Sequence, residues 1–292
     1  MIERRFMMNR GRLPKEEVNL MWRILNLSRP GIRIAIGAFS LILCSYFAHQ
    51  ALAEGKDGTE KKAREAVNRS IEAMGGDAFR NVRNSQSIGR YFIFSKGKKG
   101  FARYHDWTVY DPVKSRFQLG KGDNQEVGIY NLELGKAWKL EGENEVKELK
   151  EKDIKNFKKA VNREWSLLLK KRIDEEGMSL FYYGADDVAG EGRWEAVEFL
   201  DPTNASSVVF FDLETRLPQK IESEVTDRKS GVRFKQEVEL SNWHTIDGVY
   251  TPLRSDTYHD GEMAQQTYIE EIHFNVQIPP EYFLRPAVKE EE

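Results

Sequence analysis

The chain has 292 residues, 40% hydrophobic and 32% charged, with 45 Lys or Arg against 47 Asp or Glu. Residues 54–292 alone carry a net charge of −7, so the basic footprint that nucleic-acid binding needs is missing. The only cysteine, Cys44, precedes them, which leaves that part without a disulfide and excludes thiol chemistry there.

Basic Arg29-Pro-Gly-Ile-Arg33 runs into apolar Ile34 to Ala48 and then Ala51-Leu52-Ala53, the order of a secretory signal peptide. The apolar run falls short of the roughly 20 residues that cross a bilayer core, and a small-x-small triplet follows it. Cleavage between Ala53 and Glu54 is expected, with a retained membrane helix as the alternative. The polar stretch ahead of the run is long for such a leader, Met8 and Met21 offer internal starts, and a start downstream of Met1 is expected. Leu43 stands where lipoprotein processing wants a small residue, so Cys44 reads as an inert leader residue. Residues 1–53 thus form an N-terminal extension and leader. Residues 54–292 form one exported domain, expected in the periplasm.

That domain opens on Gly55-Lys-Asp-Gly58, followed by a predicted helix with Ala63, Ala66, Val67, Ile71 and Met74 at three- and four-residue steps. Gly75-Gly76 ends it, and Asp77 is expected to cap a short further turn. From Ser87 the period changes to two. Segments rich in aromatics and β-branched residues (88–94, 101–110, 113–119, 127–130, 134–140) alternate with turns such as Asp111-Pro112. Connections this short cannot hold crossover helices, so the strands pair antiparallel. One long helix is predicted from Glu151 to Ile173, with Ile154, Phe157, Val161, Trp165, Leu168 and Leu169 along one stripe. The charged run from Glu141 to Lys159 reads as connector and helix face. Strands resume at Met178 and continue to Phe274, with Asp247-Gly248 and Asp260-Gly261 as hairpin turns.

Some eleven or twelve antiparallel strands are too many for a flat sheet, because twist accumulates. The expected fold is therefore α+β: a strongly curved, unclosed half-barrel covered by helices.

Certain segments resemble a known family. Ala63 to Gly76 with Phe79-Arg-Asn-Val82, then Phe211-Asp-Leu-Glu-Thr-Arg-Leu-Pro218, Ile246-Asp-Gly-Val-Tyr-Thr-Pro252, and Ile272-His-Phe-Asn275 with Ile278-Pro-Pro-Glu-Tyr-Phe283, are similar in order and spacing to the LolA/LolB-like lipoprotein-sorting superfamily. The resemblance implies a hydrophobic cavity that holds the acyl chains of a lipoprotein or phospholipid in transit to the outer membrane. It implies no cofactor, no catalytic residue, a monomer, and an inner- or outer-membrane partner protein.

The expected lining residues of such a cavity are Tyr91, Trp138, Phe157, Val161, Trp165, Phe181, Val197, Phe199 and Phe210. No Gly-x-Ser-x-Gly elbow, zinc helix, phosphate loop or dinucleotide fingerprint occurs, so an enzyme is not expected. His105-Asp106 and His259-Asp260 are neighbours whose side chains point apart on a strand. The alternatives to a carrier are a LolA-like envelope sensor with a protein partner and a structural envelope protein without ligand.

Overall fold

Helix α1 (59–73) and the turn behind it bury Ala63, Ala66, Val67, Ile71 and Met74 completely or nearly so, as the three- and four-residue spacing dictates. The computed structural model describes residues 59–287 apart from 96–97, 121–124, 142–144, 189–191 and 227–230. The expected leader with Cys44, and the expected cleavage site at Ala51, Ala53 and Glu54, lie outside the described residues. Gly75 ends the helix for two reasons. Its φ is +115°, and a Cβ there would sit 2.4 Å from the carbonyl oxygen of Gly248. That close approach lets the Tyr250 N–H donate to the Met74 carbonyl at 2.9 Å. The short helix α2 (Asp77–Arg80) follows, with Gly76 and not Asp77 at its N-cap.

Among the described residues thirteen strands form one antiparallel sheet: β1 (Asn84–Ser95), β2 (Lys98–Tyr110), β3 (Val113–Leu119), β4 (Glu126–Asn131), β5 (Lys136–Glu141), β6 (Glu145–Glu148), β7 (Ser179–Val188), β8 (Gly192–Leu200), β9 (Ser206–Asp212), β10 (Pro218–Thr226), β11 (Arg233–Ile246), β12 (Val249–His259) and β13 (Glu262–Phe274). Their order is β6-β5-β4-β3-β2-β1-β13-β12-β11-β10-β9-β8-β7, two meanders joined where β1 pairs with β13. The edges β6 and β7 do not pair, so the curved sheet stays unclosed. Both expected Asp-Gly turns have two residues at positive φ, Asp247 and Gly248 at +51° and +79°, Asp260 and Gly261 at +49° and +82°.

The strand count exceeds the expectation because β6 lies in the Lys/Glu-rich run read as connector. Val146 is its apolar residue, opposite Leu140, while Lys147 bridges Glu141 and Glu145 along the exposed edge. The second difference is in the predicted long helix, which is two. Helix α3 (Glu151–Val161) stops, and α4 (Trp165–Lys170) starts afresh. Glu164 caps α4 by accepting from the Leu167 N–H at 2.9 Å and the Ser166 hydroxyl at 2.6 Å. Buried Arg172 fixes the break, donating to the Asn162 carbonyl at 2.6 Å, to Glu175 at 2.7 Å and to Asp201 at 3.2 Å. Local caps and a buried guanidinium outweigh the helix that the apolar stripe alone would continue.

The connector from β6 to β7 joins the two outermost strands, so it has to cross the sheet, and it does so over the concave face. There α1, with Leu168, Leu169 and Ile173, packs on Leu180, Val197, Phe199, Val209, Phe211 and Ile221 to make the main core. Buried Glu195 ties α1 to this half, accepting from Arg69 at 2.8 Å and from Arg216 at 3.4 Å. A smaller cluster of Val127, Ile129, Trp138 and Leu140 lies on the other face of β4 and β5. Near it the tail turn Pro280–Phe283 docks, with Asn131 donating to the Phe283 carbonyl at 3.2 Å.

Phe211 is fully buried at the centre of the main core, and Leu134 is 54% exposed. Urea unfolding of Phe211→Ala is expected to show a loss of about 3–5 kcal/mol. Leu134→Ala is expected to change stability by less than about 0.5 kcal/mol.

Candidate functional site

Where α1 ends, the cover that the described residues give the concave face consists of α3, α4 and α2, and it is incomplete. An open cavity of about 330 Å³ remains, at the low end of the roughly 300–1,000 Å³ typical of small-molecule sites. Its roof is apolar: Phe157 and Val161 from α3, Trp165 and Leu167 from α4, Phe79 and Val82 from the α2 region. Helix α3 has no wholly buried residue although its apolar stripe faces the sheet. Phe157 stacks on Tyr130 with ring centroids 4.0 Å apart, while Trp165 stacks on Phe79 and meets Trp243 edge-on.

The floor sets a polar stripe among apolar strand residues such as Leu240, Ile269 and Ile272. Strand register sets hydroxyls side by side: Ser85 opposite Thr108, Thr108 opposite Ser115, and Thr267 opposite Ser255. Asp106, opposite Ser87, lies among them. Its carboxyl accepts from the Thr108 hydroxyl at 2.9 Å, and burial pushes its pKa up to about 7 against that single hydrogen bond. Burial likewise pulls the Lys170 ammonium down to about 8, with Glu164 acting weakly the other way. Lys170 sits 3.5 Å from the centroid of the Tyr110 ring, a cation–π contact. The Tyr110 hydroxyl is 3.0 Å from Ser85 Oγ, and burial raises its pKa.

Of the nine expected lining residues, Phe157, Val161 and Trp165 stand on the cavity wall. Tyr91 is on the same face farther along β1, donating to Gln265 at 2.8 Å and meeting Phe117 edge-on. Val197 and Phe199 are filled core under α1. Trp138 belongs to the smaller cluster on the opposite face. Phe181 and Phe210 pair with Glu198 and Ala196, on the face away from the main core, and Lys220 covers the Phe210 ring at 4.4 Å. Asp106, Lys170 and the floor hydroxyls are not among the expected lining residues, because polar residues on a strand, like a lysine on a helix, read as the wet face. Alternation in β2 does separate His105 and Trp107, stacked on each other, from Asp106, Thr108 and Tyr110. It does not say which set is covered.

The raised Asp106 pKa has a sign. Between its ordinary 3.8 and about 7 the folded chain holds a proton that the unfolded chain has released, so stability falls as pH rises through that window. Asp106→Asn is expected to flatten that part of the melting-temperature profile and to be the more stable protein above pH 7, by about 1–3 kcal/mol.

No protein-family model matches the sequence, and no curated protein does. Among solved structures, a DUF1329 family protein from Desulfovibrio piger is similar over 77% of this chain and 97% of its own, at 14% identity and a TM-score of 0.51. A putative outer membrane lipoprotein-sorting protein domain from Vibrio parahaemolyticus aligns over the same shares at 11% identity and a TM-score of 0.48. A LolA superfamily protein from Nitrosomonas europaea does so at 12% and 0.40. With its unclosed antiparallel sheet and its helices across the concave face, the chain shares the fold of the DUF1329 family protein.

Proposed function

We propose that this protein is a periplasmic carrier that holds an acyl chain of a lipid or lipoprotein in the cavity beneath α3 and α4, for passage toward the outer membrane. The observation that carries the reading is an amphipathic roof helix, α3, whose apolar stripe is, among the described residues, nowhere wholly buried by the protein's own side chains. Each buried CH₂ contributes about 0.8 kcal/mol, so about ten of them would supply roughly 8 kcal/mol before the entropy of immobilisation is subtracted. That is enough for reversible capture. A carrier has to release what it holds, and a half-open site with one thin helical wall suits exchange better than a sealed core. The role needs no covalent step, and none is assigned to this site.

Export of the full chain with its own leader, followed by native mass spectrometry after gentle desalting, is expected to show a lipid or acylated peptide bound. Phe157→Asp is expected to lower uptake of added phospholipid or acylated peptide at least tenfold while shifting the melting temperature only slightly, since it gives up one aromatic stack worth about 0.5–1.5 kcal/mol. Homogeneous apo-protein that also ignores both added ligands would overturn the reading.

A further inference from the structure

The cavity wall carries Asp106 and Lys170, of opposite sign, and among the described residues neither forms a hydrogen-bonded ion pair. Among the described residues, the Asp106 carboxyl accepts one hydrogen bond, from the Thr108 hydroxyl, and Lys170 lies over the aromatic faces of Tyr110 and Phe79, with the Glu164 carboxylate acting on it from farther off. Glu164, the other carboxylate on the wall, is occupied in capping α4. A buried charge without a partner is strongly disfavoured, and it persists where something else supplies the partner. A plain hydrocarbon chain would leave both groups without a counter-charge in contact.

Resting on the acyl-chain reading, we infer that the ligand is a single-chain zwitterionic amphiphile, with its ammonium at Asp106, its anionic group at Lys170 and the Tyr110 and Ser85 hydroxyls, and its chain under Phe157. Three features support this. The hydroxyls of Ser85 and Tyr110, 3.0 Å apart, lie on the floor that also carries Asp106, so a polar head has donors and acceptors along its length. The cavity is too small for several acyl chains together with a head group, and its opening lets one chain extend outward. Burial pushes both ionisable groups toward their neutral forms, and a head group of matching charges would reverse both shifts.

The test uses the delipidated full chain and three single-chain probes below their micelle concentrations: lysophosphatidylethanolamine (both charges), lysophosphatidylglycerol (anion only) and dodecylammonium (cation only). The wild type is expected to bind the zwitterion about tenfold more tightly than either of the others. Asp106→Asn should weaken the zwitterion and dodecylammonium about tenfold and leave lysophosphatidylglycerol unchanged. Lys170→Gln should weaken the zwitterion and lysophosphatidylglycerol and leave dodecylammonium unchanged. Each substitution removes an unpaired buried charge, so both variants are expected to fold, with circular dichroism as the check. Equal binding of all three probes, insensitive to either substitution, overturns the head-group assignment and leaves chain capture standing. Sensitivity to only one of the two residues overturns it as well. If no probe binds, the acyl-chain reading falls together with it.

Discussion

The structure depends on the burial of the concave face of one very long sheet. Thirteen antiparallel strands offer far more apolar surface on that side than a single helix can cover. Helix α1 covers the half built from β7 to β10 and does it thoroughly, since Ala63, Val67 and Met74 meet Val197, Val209 and Phe211 with no solvent left between them. What remains over β1 to β3, β12 and β13 has to be covered by the connector between the two edge strands. That connector is thin and broken, and the cavity is the consequence.

The break in the connector is itself a product of competing local interactions. An unbroken helix over 151–173 would present one straight apolar stripe. Instead the Glu164 cap and the Arg172 guanidinium, which gathers the Asn162 carbonyl, Asp201 and Glu175, redirect the chain so that α4 drops Leu168 and Leu169 into the main core. Helix α3 is left above the floor with Phe157 and Val161 only partly covered. Firm anchoring at one end and sparse packing at the other places the weakest part of the roof directly over the cavity, which is where exchange of a bound chain would have to occur.

Polarity inside the cavity is confined to a stripe. Aromatic and aliphatic groups dominate the roof, which also carries Glu164 and Lys170, while the floor sets Ser, Thr and one carboxyl among apolar residues such as Leu240, Ile269 and Ile272. The floor arises because strands pair in register: a serine on β1 at position 85 meets Thr108, which meets Ser115, so one choice of face sets a row three strands wide. Asp106 and Lys170 stand in a site that is partly open, beside the thinnest part of the cover. That partial opening links the electrostatics to the geometry of the roof.

Much of the architecture was legible in the chain itself. The three- and four-residue steps of Ala63 to Met74, the Gly75-Gly76 stop, the two Asp-Gly turns and the period of two in the strands are local signals, each set by backbone stereochemistry and side-chain spacing within a few residues. They suffice for an antiparallel α+β fold with a curved sheet. The binding site was only partly legible. Phe157, Val161 and Trp165 stand out because a helix stripe marks its own covered face. Val197 and Phe199 against Trp138, Phe181 and Phe210 could not be sorted, since a strand's alternation shows that two faces differ and not which one a distant helix will cover. Asp106 and Lys170 come together across more than sixty positions, through strand register and the path of the connector. Local sequence determined the elements. Only the closing of α1 and the connector over one side of the sheet decided which residues became core and which became cavity.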